Sequence, residues 1–316
     1  MTRLRSDVRT LALLLAGLTC SFWAAPPAAG EGPPVLASIR PVHSLVAGVM
    51  EGVGQPQVLL KGAASPHTYA LRPSDARSLE QAAVVFWIGP TLEVFLEDAL
   101  PTLASRARVV ALGEVAGITR RNGHRAAGAG APGSAKDEAH EHDGGNPHVW
   151  LDPLNAAAMV RVIAAELTRA DLENASRYAA NAARLQARLA DLDAELDRLL
   201  RPLAGRAYVV FHDAYGHLEA RYGLAPAGIL TVNPEVPPGT ARVAEIRRLL
   251  RSRSGVCVFT EPQFEPKLIR TLTAGTGART AALDPLGSDL AEGSELYFEL
   301  MRGNARALRA CLEVQG

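Results

Sequence analysis

The stretch from Asn174 to Leu200 limits the fold more than any other part of the chain. Apolar residues stand at Tyr178, Ala182, Leu185, Leu189, Leu192, Leu196 and Leu199, so the spacing alternates four and three. That spacing lays one apolar stripe along one side of a helix, with Asp and Arg filling much of the other. At about 1.5 Å per residue the helix is roughly 40 Å long. Pro202 and Gly205 end it. A helix of this length runs the height of two lobes, and the 316 residues suffice for two domains of ordinary size.

The segments on either side are of another kind. Val35–Ser38, Val58–Leu60, Val84–Ile88 and Val109–Ala111 are short β-prone runs. Helical stretches at Val42–Met50, Ser74–Gln81 and Leu92–Leu103 separate them. After the long helix the alternation resumes. Tyr208–Phe211 and Val256–Phe259 read as strands, and Arg242–Arg251, Pro266–Gly275 and Glu295–Cys311 as helices. Asn155 to Ala170 adds a further helix. Alternation of this kind implies a mostly parallel sheet flanked by helices in each lobe. The expected fold is therefore α/β, with two such lobes joined by one long helix. The expected boundaries are 31–170 for the first lobe, 171–201 for the helix and 202–316 for the second lobe. No internal sequence repeat is visible. Residues 122–146 break the rhythm with Gly, Ala, Asp, Glu and His, and read as a mobile loop.

Residues 1–30 have the layout of a secretory signal peptide. Arg3, Arg5 and Arg9 precede an apolar run from Leu11 to Leu18, and Pro26, Pro27 and the small residues Ala28, Ala29 and Gly30 follow it. The run is too short for a membrane anchor. A lipid anchor on Cys20 fits less well, because Leu18 and Thr19 stand where small residues are usual. No other stretch is apolar for long enough to span a bilayer, so the mature chain reads as a soluble exported protein. Export makes the two remaining cysteines, Cys257 and Cys311, a candidate disulfide worth about 4 kcal/mol. The alternative is two buried free thiols. Lys+Arg and Asp+Glu are equal at 33 each, which argues against nucleic acid as a partner.

The eight histidines are unevenly placed. His67, His148 and His212 each follow a short apolar run or the loop, where parallel sheets build their ligand sites. Three imidazoles plus a carboxylate or water suit tetrahedral Zn²⁺. Taken singly, each has a bland reading as a turn, core or helix-start residue, and no local zinc signature is present. His43 and His217 read as structural. His124, His140 and His142 lie in the loop beside Asp137, Glu138, Glu141 and Asp143.

Six segments carry a resemblance: Gly62 to Asp75, containing Ser65-Pro66-His67-Thr68; Asn146-Pro147-His148-Val149-Trp150-Leu151-Asp152-Pro153; Phe211-His212-Asp213-Ala214-Tyr215; Thr231-Val232-Asn233-Pro234-Glu235; Thr260-Glu261-Pro262-Gln263-Phe264; and Leu283-Asp284-Pro285-Leu286-Gly287. In this order they resemble periplasmic zinc-binding proteins of ABC importers, the cluster of solute-binding proteins whose lobes are joined by one rigid helix. The resemblance implies a periplasmic protein, expected to be monomeric, that hands Zn²⁺ to an importer permease in the inner membrane. It implies His67, His148 and His212 as ligands, with Asp284 as a fourth, carboxylate ligand in preference to water. Some members place a Glu just before the first histidine, where this chain has Pro66. Manganese-handling members generally have Glu at the position of His212, so the histidine favours zinc, with Mn²⁺ as a secondary ligand. Zinc members often carry a disulfide at positions that Cys257 and Cys311 match. Their loop is often rich in His and acid, so His124, His140 and His142 are either an auxiliary metal-collecting group or part of a solvated loop.

Two other functions compete. An extracellular adhesin or metal-storage protein shares these motifs. A zinc hydrolase needs an open metal position and an adjacent general base, and no Glu stands beside a ligand to serve as one. An enzyme is therefore not expected. Bound imidazoles must be neutral, so affinity is expected to fall as pH drops below the free-histidine value of about 6.5.

Overall fold

The computed structural model describes residues 32–124 and 145–314, apart from 233, 235, 265 and 266. The expected signal segment, Cys20, His140 and His142 lie outside the described residues.

The first sheet holds β1 (Val35–Ala37), β2 (Gln57–Val58), β3 (Val84–Trp87) and β4 (Arg108–Ala111), in the order β2-β1-β3-β4. The second holds β5 (Tyr208–His212), β6 (Gly228–Thr231), β7 (Cys257–Thr260) and β8 (Arg279–Ala282), in the order β6-β5-β7-β8. Every pairing is parallel. One topology is thus used twice, although the sequence shows no repeat. In each sheet the winding reverses beside the first strand, between β1 and β3 and between β5 and β7. Ligand crevices open at the carboxyl ends of such reversal points.

Helices α1 (Arg40–Val49), α2 (Pro73–Gln81), α3 (Val94–Glu97), α4 (Leu100–Leu103) and α5 (Pro153–Ala170) accompany the first sheet. The long helix α6 spans Ala175–Leu200, and α7 (Gly216–Tyr222), α8 (Thr240–Ser252), α9 (Lys267–Thr273) and α10 (Leu296–Leu312) follow. The expected helix over Leu92–Leu103 divides into α3 and α4. Pro101 lies in the first turn of α4, where its missing N–H costs nothing, and it cannot continue a preceding helix. The edge strands β6 and β8 were not legible, because both are short and β8 alternates half-buried and exposed residues. At α7 the chain stops on Gly223, whose φ of 72° closes the helix in the left-handed region.

The 26 residues of α6 amount to roughly 39 Å. Its buried stripe is Tyr178, Asn181, Ala182, Leu185, Leu189, Leu192, Leu196 and Leu200. Leu200 takes the inward position expected for Leu199, which is half-buried. Asn181 is the polar member of the stripe, and its amide donates to the carbonyls of Val49 and Glu51 at the end of α1. The helix packs against α5, α1 and α10, so elements from both sheets' halves share it. Two further ties fix it to the second half. Arg221 of α7 pairs with Asp193, and Arg302 of α10 with Glu195 at 2.8 Å. Cys257 and Cys311 form a disulfide that joins the start of β7 to the last turn of α10, with Cα atoms 6.1 Å apart.

Candidate metal centre

His67 stands in the turn after β2, and the hydroxyl of Ser65 accepts the hydrogen bond of its backbone N–H. His148 immediately precedes a single 3-10 turn, Val149–Leu151, which leads into α5. Asp152 caps α5 by accepting from the N–H of Leu154. His212 is the last residue of β5. Three distant parts of the chain therefore meet at the carboxyl ends of the two sheets.

The Nε2 atoms of His67 and His148 are 3.3 Å apart, and those of His148 and His212 are also 3.3 Å apart. A tetrahedral zinc with Zn–N of about 2.05 Å separates its nitrogens by roughly 3.3 Å. The spacing thus matches a shared zinc ion. The second ring nitrogens show what faces inward. His148 Nδ1–H donates to Asn146 Oδ1 at 2.9 Å, an oxygen that also accepts the backbone N–H of His148. His212 Nδ1–H donates to Glu261 Oε1 at 2.7 Å. With those protons on Nδ1, both Nε2 atoms present lone pairs to the same small space, a cavity of about 10 Å³. A space of this size admits an ion or a single water and no organic ligand.

The walls are dry. Trp150 is fully buried with its ring 5.2 Å from that of His148. Phe264 lies edge-on to His212 at 5.8 Å. Phe211 stacks behind Phe264 at 4.8 Å, so Phe264 is the residue that borders the cavity. Burial, with a smaller contribution from the neighbouring His212, lowers the His67 pKa to about 3. Burial also holds His148 well below the usual imidazole range. Burial pushes the Glu261 carboxyl up.

Asp284 is not among the residues whose ligand atoms converge. Its carboxylate accepts from the Gln263 amide at 2.8 Å, from the N–H of Leu286 at 2.9 Å and from the N–H of Ser288 at 2.5 Å. It organises the turn after β8 and lies behind Gln263, which does border the cavity. His43 and His217 are structural, as expected. His43 Nε2 bonds the carbonyl of Pro56, and His217 Nε2 that of Asn146. Two contributors went unassigned in the sequence, Asn146 and Glu261. Each lies inside a quoted motif, and the available signal was a side-chain acceptor placed beside a strand-end histidine.

Of the loop histidines, His124 alone is described. Its backbone N–H and its Nδ1 reach the two oxygens of buried Asp213, and its Nε2 is 3.6 Å from Glu219. The hydrogen bond to Asp213 raises the His124 pKa, partly opposed by desolvation and assisted by Glu219. A raised histidine contributes stability that is full below the unfolded value of about 6.5 and is lost as pH rises through the higher folded value. The side chain is 39% exposed, so screening reduces the effect. His124→Gln should lower the thermal midpoint more at pH 6 than at pH 8.5. Equal losses at both pH values, measured by calorimetry on metal-free protein, would show that the contact carries no charge.

The family described as ZnuA, zinc-uptake complex component A periplasmic, matches residues 35–311. A high-affinity zinc uptake system protein of Brucella abortus (strain 2308) is 40% identical over 318 residues, covering 90% of this chain and 93% of the relative. Its counterpart in Paracoccus denitrificans (strain Pd 1222) is 39% identical over 326 residues, covering 96% and 99%. A crystal structure of a ZnuA deletion mutant with zinc bound superposes with a TM-score of 0.74 at 24% identity, covering 89% of this chain and 98% of that one. The laminin-binding protein of Streptococcus agalactiae, described as an adhesin with metal-transporting activity, superposes with a TM-score of 0.71 at 22% identity, covering 89% and 100%. At these identities the two structures establish the shared fold alone.

Proposed function

Because the chain belongs to the ZnuA family of periplasmic zinc-uptake components, we propose that it captures Zn²⁺ between its two α/β halves on His67, His148 and His212 and delivers the ion to an ABC importer permease. The observation that supports this most is the convergence of the three imidazoles, with the Nε2 atoms of His67 and His148 and of His148 and His212 at the spacing zinc requires. Among the described residues no helix is long and apolar enough to cross a membrane. A leader over residues 1–30 supplies export in this reading, and 31–170, 171–201 and 202–316 serve as first lobe, linking helix and second lobe.

The fourth position goes to a water molecule rather than to Asp284. The Asp284 oxygens already accept hydrogen bonds from Gln263, Leu286 and Ser288, and turning inward would break the turn they hold. A nitrogen-rich donor set favours zinc over manganese. Equilibrium dialysis of metal-stripped mature protein tests the reading. The expected result is one Zn²⁺ per chain, retained against excess Mn²⁺. Absence of stoichiometric zinc, or ready displacement by manganese, would overturn it. Zinc-dependent association with vesicles containing the partner importer tests delivery.

Burial moves the acid limit of binding. Free imidazoles compete with protons below about pH 6.5, but His67 stays neutral until about pH 3, and His148 is depressed as well. Depressed histidines stabilise the folded chain fully above the unfolded value, and that contribution is lost as pH falls toward the folded one. Zinc affinity is therefore expected to fall between pH 7 and 5 far less than three free imidazoles would require, which is on the order of 10⁴-fold. Metal-free stability is expected to decline over the same interval. Chelator competition at pH 7, 6 and 5 checks the first point, and a loss near the three-proton limit would mean that the site is not held closed and neutral.

A further inference from the structure

In the second sheet β5 and β7 are the strands between which the winding reverses. Their register pairs Val209 with Val258 and Val210 with Phe259. Continued by two residues, it sets His212 beside Glu261, the first residue after β7. The two side chains are 2% and 1% exposed, with Nδ1 and Oε1 at 2.7 Å. Glu261 borders the same small cavity as the three imidazoles. Among the described residues no Lys or Arg forms an ion pair with it, and besides His212 the polar side chain nearest its carboxyl is the buried Tyr215 hydroxyl. A carboxylate this deep is costly unless it answers a positive charge, and the cation it faces across one imidazole is the captured ion.

We infer that Glu261 is the positioning residue of His212: its carboxylate accepts the Nδ1–H bond, fixes the tautomer that leaves Nε2 bare, and holds the ring toward the ion. The inference rests on the zinc reading above. Glu261 differs from Asn146, which does the same for His148 with a neutral amide. The His212 backbone is held by its pairing with Thr231 in the sheet, and the carboxylate is the group that bonds its outer ring nitrogen. A carboxylate on the outer nitrogen also makes the imidazole a stronger donor.

The test compares the unmodified mature chain with Glu261→Ala and Glu261→Gln, using Zn²⁺ in chelator competition and Co²⁺ as a spectroscopic probe. Glu261→Ala is expected to weaken zinc about 10- to 100-fold. Glu261→Gln keeps an acceptor oxygen and should lose less. In both variants the visible Co²⁺ band should shift. Nitrogen-15 spectra of metal-free protein should show His212 protonated on Nδ1 in the unmodified chain and a mixture of tautomers in Glu261→Ala. A merely structural carboxylate would lower the melting temperature while leaving tautomer and Co²⁺ band unchanged. Unchanged zinc affinity with an unchanged band overturns the inference. If Glu261→Ala does not fold, the near-isosteric Gln variant carries the same readouts. If zinc binding by the unmodified chain does not depend on His212, the zinc reading fails instead, and the metal-free tautomer still decides the role of Glu261.

Discussion

His148→Ala is expected to weaken zinc binding on the order of 100- to 1000-fold. Apparent binding energies of four-ligand zinc sites run to about 10–16 kcal/mol, roughly 3–4 kcal/mol per ligand, and each 1.4 kcal/mol is tenfold. His148 is the middle imidazole of the proposed site, its Nε2 3.3 Å from that of each neighbour, and it is 4% exposed. Neither remaining histidine can move into its place, because one is fixed in a turn and the other at a strand end. Asp284→Ala is expected to cost affinity much less, since its carboxylate serves the Leu286–Ser288 turn. His140→Ala should leave the main site as it is. Isothermal titration of the metal-stripped mature chain distinguishes these outcomes. Full-strength one-to-one binding by His148→Ala would remove the three-histidine centre.

The second large effect concerns the disulfide. Cys257 and Cys311 are 54 residues apart, and closing a loop of that length lowers unfolded-state entropy by about 4 kcal/mol of stability on the chain-entropy account. Domain stabilities are about 5–15 kcal/mol, so the loss is a large share of the second half's reserve. Both sulfurs are interior, with Cys257 wholly buried and Cys311 7% exposed. The double variant Cys257→Ala, Cys311→Ala should therefore unfold at markedly lower guanidinium concentration. The measurement belongs on metal-free protein, because bound zinc adds its own stabilisation. Coincident midpoints for variant and unmodified protein would show that packing of α10 on the sheet, and not the covalent link, holds the second half.

Much of this was legible because hydrophobic period survives without tertiary context. The stripe of α6 follows from spacing alone, and the slip from Leu199 to Leu200 reflects the drift of a 3.6-residue turn against a four-three pattern. The strands buried on both faces, such as Val84–Trp87, announced themselves as apolar runs. Edge strands β6 and β8 did not: Gly228–Thr231 is buried but offers only two large apolar residues, and Arg279–Ala282 alternates half-buried and exposed residues without a large apolar one. The repeated sheet order was invisible because topology is shared without shared residues. The three histidines were found through motif resemblance, their separation in the chain being too great for any local ligand spacing. Asp284 shows the limit of that route. The motif locates the residue, but the bonds from Gln263, Leu286 and Ser288 decide where its oxygens point. Alternation along β5 likewise turns His212 to the cavity and Phe211 away from it, while Phe264, in the turn beyond β7, borders it.

The segment from Asn146 to Trp150 precedes the long helix in the chain and is attached on both sides of it: on the near side the Asn146 N–H donates to the carbonyl of Arg121 and the Asn155 amide to that of Val149. The Asn146 amide donates to the carbonyl of Asp213, His217 bonds the carbonyl of Asn146, the Trp150 indole donates to the carbonyl of Pro285, and the Tyr297 hydroxyl donates to the carbonyl of Trp150. Mechanically, His148 is therefore a bridge between the halves rather than a member of the first alone. In the proposed site the ion sits between His67 of the first half, His212 of the second and a histidine that both halves hold. A partner that moves one half against the other has to work through that shared segment.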